Sequence, residues 1–254
     1  MEQNIKCSVL EKVKKHFMEI LYPAYLYCFC CESVIDKSRV YGLCDNCITR
    51  FRWATGRTCD KCGKPLSENS IRNLCDDCIE RSRFFDRGFT CTGYGLYERR
   101  LISEFKKKGK SYMAQAIGRI LHDRIVITNI SFDVIIPIPI HGKKLKTRGY
   151  DQAVLMALEL SKLTGVAADI NAVKRSKMTE PNKKLGAEQR AENMRGAFVV
   201  TESGKIRLRG KDILIVDDIY TTGATVDACA EVLKKAGVGK VYVLTLASGT
   251  YSFK

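Results

Sequence analysis

Acidic charge is what this sequence is short of. Its 254 residues carry 28 Asp and Glu against 43 Lys and Arg, a formal net charge of +15. Such a shortage suits a polyanionic partner, whether nucleic acid, nucleotide phosphates or an anionic membrane face. A solvated basic surface is the plainer reading of the same number. Long apolar runs are missing as well. The best candidate, Phe17 to Cys31, is broken by Glu19 and Pro23 and is too short to span a bilayer. It reads as a short helix ending before Pro23. No signal-peptide pattern opens the chain, so a cytoplasmic location with reduced thiols is expected. A complete Walker A loop is also lacking. Lys108-Gly109-Lys110-Ser111 has the tail of one, but Glu104 stands where its first glycine is needed, which argues against an ATP-driven motor.

Cysteine, by contrast, is abundant: there are 12, and all but Cys229 lie before residue 92. Eight of them form an internal repeat. Cys28-x2-Cys31, twelve residues, then Cys44-x2-Cys47 is one copy, and Cys59-x2-Cys62, twelve residues, then Cys75-x2-Cys78 is the other, offset by 31 at every position. Leu43-Cys44-Asp45 and Leu74-Cys75-Asp76 match too. A CxxC turn presents two thiolates to one ion, and a second turn completes a tetrahedral sulfur shell. Two structural Zn²⁺ ions follow, rather than redox chemistry, because a closed four-thiolate site leaves no open coordination position. Local pairing within each copy is the simpler topology; interleaved pairing is open on spacing alone. Cys30 is a possible substitute ligand. Cys7, Cys91 and Cys229 have no partner pattern, and Cys229 reads as a buried free thiol.

After the cysteines the pattern changes to alternating apolar strands and helices, expected to form a mostly parallel α/β sheet. The division is residues 1–22 as an N-terminal helix, 23–84 as a double zinc ribbon and 85–254 as the α/β domain. Within the last, Gly93 to Tyr97, Val134 to Ile138, Ile213 to Val216 and Val241 to Leu246 read as strands. Glu98 to Lys106, Tyr112 to Arg124, Asp151 to Leu163 and Thr225 to Ala236 read as helices. The third helix is expected to face the core with Val154, Leu155, Leu158 and Leu160, the fourth with Val226, Cys229, Ala230 and Leu233.

The most informative stretch runs from Ile213 to Thr225. A buried strand ends in Asp217 and Asp218; Thr221, Thr222, Gly223, Ala224 and Thr225 follow, and a helix begins. Backbone N–H groups at a helix N-terminus, with hydroxyls beside them, make an anion cradle, and Gly223 permits close approach. Two aspartates there would repel a phosphate, but make sense facing sugar hydroxyls near a Mg²⁺. A second loop, Asp133 to Lys144, has Pro137 and Pro139 fixing the backbone against helix formation, then Lys143, Lys144 and Arg148 as local cations. Asp151 is an N-cap candidate. Lys174 to Arg195, long and basic between two strands, is a candidate lid.

The order of apolar strand, two acids and Thr/Gly loop resembles the type I phosphoribosyltransferases. That resemblance implies the type I phosphoribosyltransferase fold, a parallel sheet with a small variable hood. It implies phosphoribosyl pyrophosphate (PRPP) with Mg²⁺ as ligand. Asp217 and Asp218 would lie on the ribose hydroxyls, residues 221–225 on the 5′-phosphate and the Pro-x-Pro loop on the diphosphate, with Asp217, Asp218 and Arg190 as candidate catalytic groups. Taken with the cysteine repeat, Arg148-Gly149-Tyr150-Asp151-Gln152 and Arg190-x2-Asn193-x-Arg195-Gly196-Ala197-Phe198, the chain is similar to the ComF family. Asn182 departs from that family's usual Gln, and Tyr150-Asp151 from its usual Phe-Asn. The resemblance implies a part in natural competence, handling single-stranded DNA that enters the cytoplasm, with membrane association through other uptake proteins. Lys106-Lys107-Lys108-Gly109-Lys110, with Phe51, Trp53, Phe105 and Tyr112 as stacking candidates, would serve such a strand. Tyr220 is a candidate to stack on a ring or ribose.

Overall fold

The computed structural model describes residues 26–36, 38–140, 142–176 and 187–249, with the side chains of residues 143, 144, 187 and 188 left out. The N-terminal helix proposed for residues 1–22 lies outside these.

Each cysteine copy ends in a short helix entered directly from its third cysteine: α1, Asp45–Ile48, and α2, Asp76–Glu80. The rest of the chain alternates. It runs β1 Arg87–Gly93, α3 Leu96–Phe105, a 3₁₀ turn Ser111–Met113, α4 Ala114–Val126, β2 Val134–Pro137, α5 Gly142–Arg148 and α6 Gln152–Thr164. Then come β3 Val173–Arg175, α7 Ala187–Met194, β4 Phe198–Val200, α8 Glu202–Leu208, β5 Ile213–Tyr220, α9 Ala224–Lys235 and β6 Val241–Ser248. The main sheet has the order β1-β6-β5-β2, every pair parallel. β3 and β4 form a separate antiparallel pair.

Strand side chains alternate between faces, and the sheet divides its core accordingly. Leu214, Val216, Leu244 and Leu246 pack with α3, α4 and α6. Ile213, Ile215, Val241 and Val243 pack with α9, whose Val226, Cys229, Ala230 and Leu233 are buried as the sequence expects. The two cysteine copies divide in the same way. Cys28, Phe29, Leu43, Cys47 and Phe51 join the first cluster; Cys59, Cys62 and Cys75 join the second.

Between them the two copies ride along the outer edge of β1. Ala54 N–H donates to Cys91 O (2.9 Å), Gly93 N–H to Arg52 O (2.7 Å) and Gly88 N–H to Lys61 O (2.7 Å). A Cβ on Gly63 would lie 2.5 Å from Gly88 O, so only glycine lets the second copy approach the strand this closely. The edge of β1 is thereby covered by the linker between the copies and by the second copy.

Two expectations are corrected. The first strand is Arg87–Gly93, not Gly93 to Tyr97. Helix α3 starts at Leu96 because Glu98 accepts from Gly95 N–H (2.9 Å) and from Arg52 N–H (2.6 Å). The core face of α6 is Ala153, Met156, Ala157 and Leu160, while Val154 and Leu155 are half-buried and Leu158 is 38% exposed. Asp151 accepts from the N–H groups of Ala153 and Val154. The buried small residues let α6 pack closely on α4, where a Cβ on Gly118 would meet Glu159 Cβ at 2.5 Å.

Candidate anion site and metal centres

The structure groups the cysteines locally. In each copy the four sulfurs lie within 4.8 Å of one another, so interleaved pairing is excluded. Cys31 Sγ to Cys44 Sγ and Cys62 Sγ to Cys75 Sγ both measure 3.6 Å. A tetrahedron with metal–sulfur bonds of about 2.3 Å has edges of about 3.8 Å, so both tetrads fit a zinc ion. The repeat extends to the hydrogen bonds around the sulfurs. Cys44 N–H donates to Cys28 Sγ (3.4 Å) and Cys75 N–H to Cys59 Sγ (3.3 Å), which favours the thiolate at the same position of each copy. Cys30 stays outside its tetrad. Its Sγ lies 3.5 Å from Tyr97 O, and burial, with Cys28 and Cys31 nearby, pushes its thiol up to about 12.

At the carboxyl end of the sheet, β5 leads through residues 221–223 into α9. Gly223 is the N-cap, with φ of 80° and no side-chain cap, so no capping group takes the first-turn N–H donors. Thr222 Oγ1 is buried without a hydrogen-bond partner among the described residues, an orphan that a phosphate oxygen would satisfy. Thr221 is exposed, and Ala224 and Thr225 are half-buried.

The two aspartates before the loop are not equivalent. Asp217 acts on Cys229 of α9, the side of the second tetrad. Burial, then Asp218, pushes its carboxyl up to about 8, although Asp218 N–H donates to its Oδ1 at 2.8 Å. Asp218 turns to the other side, where its Oδ2 is ion-paired with Lys106 Nζ. Lys106 follows the end of α3, which is held by Tyr150: the hydroxyl lies 2.7 Å from Phe105 O and 2.8 Å from Lys107 O. Asp151 completes an acidic group. Burial raises its pKa and the charge of Asp218 adds to that, against three N–H donors, Ile140, Val154 and Ala153. Asp151, Asp217 and Asp218 thus form an acidic group with Lys106 as its ion-paired cation.

The second loop sits beside the first because β2 pairs with β5, Pro137 being in register with Val216. Ile138 N–H donates to Val216 O (2.9 Å) and Ile140 N–H to Asp151 Oδ2 (3.0 Å), so Pro139 is flanked by two anchors. The loop is shorter than the prolines suggest: α5 begins at Gly142 and carries Lys143 and Lys144, whose side chains lie outside the described atoms. Arg148 ends α5 and donates to Gln152 Oε1 at 2.6 Å. Arg190 is half-buried on α7, which packs on α9. Of the expected lid, residues 177–186 lie outside the described residues.

Several stacking candidates fall away. Tyr220 is 1% exposed, beneath the turn rather than facing a ligand, and Phe51 and Phe105 are core. Trp53 is half-buried and donates to Ile48 O (2.9 Å). Tyr112 is exposed, with the Lys110 ammonium 5.9 Å from its ring centre. The lysine run is not a free patch either. Lys106 belongs to the acidic group, and Lys107 and Lys110 pair with Glu104. Reading the run as a charge cluster missed Lys106; its place after α3 and opposite the Asp218 strand is a tertiary fact that its neighbours in sequence do not signal.

Residues 109–251 match the family model described as the phosphoribosyl transferase domain. The chain belongs to this family. Residues 17–79 match the double zinc ribbon domain, so the two tetrads are those of a pair of ribbons, here called ribbon I (Cys28 to Cys47) and ribbon II (Cys59 to Cys78). Curated relatives align with much of the chain. DNA utilization protein YhgH of Escherichia coli K12 is 28% identical over 225 residues, 86% of this chain and 95% of that protein. Competence protein ComFC of Bacillus subtilis is 24% identical over 234 residues, 84% and 90%. Competence protein F of Haemophilus influenzae is 30% identical over 152 residues, 58% of this chain and 66% of that protein. The ComF resemblance read from the motifs therefore holds. No helix among the described residues is long and apolar enough to cross a membrane.

Proposed function

We propose that this is a ComF-type protein whose phosphoribosyltransferase domain binds PRPP with Mg²⁺, and that it handles single-stranded DNA in the cytoplasm during DNA uptake, meeting the membrane through partner proteins. The observation that carries the ligand is the junction of β5 and α9. Two carboxylates stand beside an uncapped helix N-terminus, with a buried orphan hydroxyl at Thr222. Residues 221–225 would hold the 5′-phosphate through N–H and hydroxyl donors. Asp217 and Asp218 would accept from the ribose hydroxyls, Asp217 after losing its proton. Mg²⁺, when bound, offsets the charge of the diphosphate. Pro137, Pro139, Lys143, Lys144 and Arg148 would flank that diphosphate, and Lys106 is ion-paired with the acidic pair at Asp218. The names of the relatives, a competence protein and a DNA utilization protein, support the role in DNA handling. The charge of +15 supports a polyanionic partner.

A second reading is an active phosphoribosyltransferase on a nucleobase or nucleotide-related acceptor. It is favoured by the adjacency of β2 and β5, which brings the loop after β5 beside the loop after β2. Departure of diphosphate from C1 would then be assisted by cations on the diphosphate side. Arg190, on the helix α7 that packs on α9, would be one of these cations.

Titration calorimetry with PRPP–Mg²⁺ and with single-stranded DNA, separately and together, tests both parts. The double variant Asp217→Asn, Asp218→Asn should lose about a hundredfold or more in PRPP–Mg²⁺ affinity while staying folded. Undiminished affinity would remove the site. DNA binding that weakens steeply with salt and ignores PRPP would leave the DNA role and dismiss the link to the sugar. Diphosphate release in the presence of a base or a DNA acceptor would move the assignment to the second reading.

A further inference from the structure

Ribbon II and the phosphate loop share a wall. Tyr220, the last residue of β5, is buried between them, and its hydroxyl has no hydrogen-bond partner among the described residues. On one side the phenol is the seat of the turn: a Cβ on Gly223 would lie 2.3 Å from Tyr220 Oη and 2.6 Å from Cζ. On the other side it packs in one buried cluster with Cys59, Cys62 and Cys75, with Cys78 against it. Phe85, just beyond ribbon II, meets the ring edge-on with centroids 6.3 Å apart.

Residues 78–85 tie the same two regions by a second route. Arg83, five residues beyond Cys78, donates from Nη2 to Asp77 O at 3.4 Å. Its charge acts on Tyr220 and on Asp227. Asp227 stands in the first turn of α9 and accepts from Phe84 N–H at 2.7 Å. The helix whose N-terminus forms the anion cradle is therefore fastened to the segment that leaves the last cysteine of ribbon II. Ribbon I has no such connection among the described residues; its cysteines pack with the cluster of α3 and α4.

We propose that Tyr220 and Arg83 are positioning residues through which metal centre II holds the phosphate loop in shape, so that grip on a phosphorylated sugar depends on metal at ribbon II and not at ribbon I. The part that concerns the sugar rests on the PRPP reading above; the strut itself does not. Packing carries the effect. A filled tetrad fixes Cys62, Cys75 and Cys78, these fix the phenol, and the phenol is the surface on which Gly223 turns. Coupling of this kind is reciprocal: whatever factor metal II adds to ligand affinity, the ligand adds to metal retention.

The experiment uses the full zinc-loaded chain and a zinc-selective chromophoric chelator, with PRPP–Mg²⁺ present or absent. PRPP–Mg²⁺ is expected to slow release of one of the two zinc ions by about tenfold and to leave the other unchanged. Tyr220→Leu should keep both zinc ions, lose about tenfold in PRPP–Mg²⁺ affinity and abolish the protection. Tyr220→Phe, which keeps the ring, should restore both, and Arg83→Met should weaken both. Hydrogen exchange gives a readout free of PRPP: amides 221–225 should exchange faster in Tyr220→Leu and after loss of one zinc from ribbon II. A wild type that binds PRPP–Mg²⁺ with neither zinc protected, or a Tyr220→Leu variant with wild-type affinity and exchange, overturns the proposal. A wild type that fails to bind PRPP–Mg²⁺ overturns the functional reading instead, and exchange at 221–225 alone then decides the strut.

Discussion

Ribbons I and II share one spacing and one pattern of N–H to sulfur hydrogen bonds, yet they sit in different surroundings. In ribbon I, Cys31 is exposed and Cys44 half-buried, and the copy leans on α3 and α4. In ribbon II three of the four sulfurs are on buried residues, packed with α9 and the end of β5. A repeated ligand set reports the ion, and says nothing of what the ion supports. That is decided by the apolar residues between the cysteines and by which face of the sheet they find.

The largest test of this difference removes one ligand from each centre. A structural zinc site contributes on the order of 10 kcal/mol to folding, so Cys62→Ser should cost much of that at the core of the α9 face. The expected result is insoluble protein, or a melting transition lowered by tens of degrees. Cys31→Ser should leave a soluble chain with about one zinc by elemental analysis and PRPP–Mg²⁺ affinity within about threefold of wild type. Equal losses from both variants would mean that the two ribbons serve one undivided core.

A smaller effect follows from Asp217, the acid that faces the ribbon II side. Its carboxyl is raised to about 8 when folded, against about 3.9 in the unfolded chain. Between these values the unfolded state holds fewer protons. Stability from this group is therefore full below about pH 4, falls as pH rises, and is lost above about pH 8. Asp217→Asn should remove that slope and stabilise the protein by on the order of a few kcal/mol at about pH 8. Denaturant unfolding from about pH 6 to 9 checks it. A variant no more stable than wild type across that range would mean the carboxyl is already relieved by a neighbour. The smallest effect belongs to ribbon I. Tyr41 OH donates to Asp123 Oδ2 on α4 at 2.5 Å, and Tyr41→Phe should cost about 1 kcal/mol. Double-mutant cycles with Asp123→Asn would show whether that bond is independent of centre II, as expected for sites on opposite faces.

The same contrast explains what was legible in the sequence. Metal ligands come in local turns, so the tetrads could be read from spacing, and local pairing was the simpler of two open choices. The strand, acid and threonine order of residues 213–225 is contiguous and was equally plain. Contiguity also misleads: Asp217 and Asp218 read as one equivalent pair, whereas Asp218 alone is ion-paired with Lys106 and Asp217 is raised by burial. Lys106 itself was read with Lys107 and Lys108 because it lies beside them in the chain. Tyr220 reads as a ligand platform because nothing local places ribbon II against it. The strands β3 and β4 are three residues each, too short for any periodicity to declare them. In β1, threonines and a cysteine interrupt the apolar run, yet the strand is buried from Gly88 onward.

The position of β5 in the sheet has a consequence for how such a protein could change its guest. It is an inner strand, hydrogen-bonded on one side to β6 and on the other to β2. Residues at its end therefore form a stiff floor, with little freedom to adapt to a differently shaped molecule. The elements around that floor are of another kind: a loop leaving the outer strand β2, a two-stranded hood and the helix α7. Diversification towards new acceptors would be expected in those rims, with the floor unaltered.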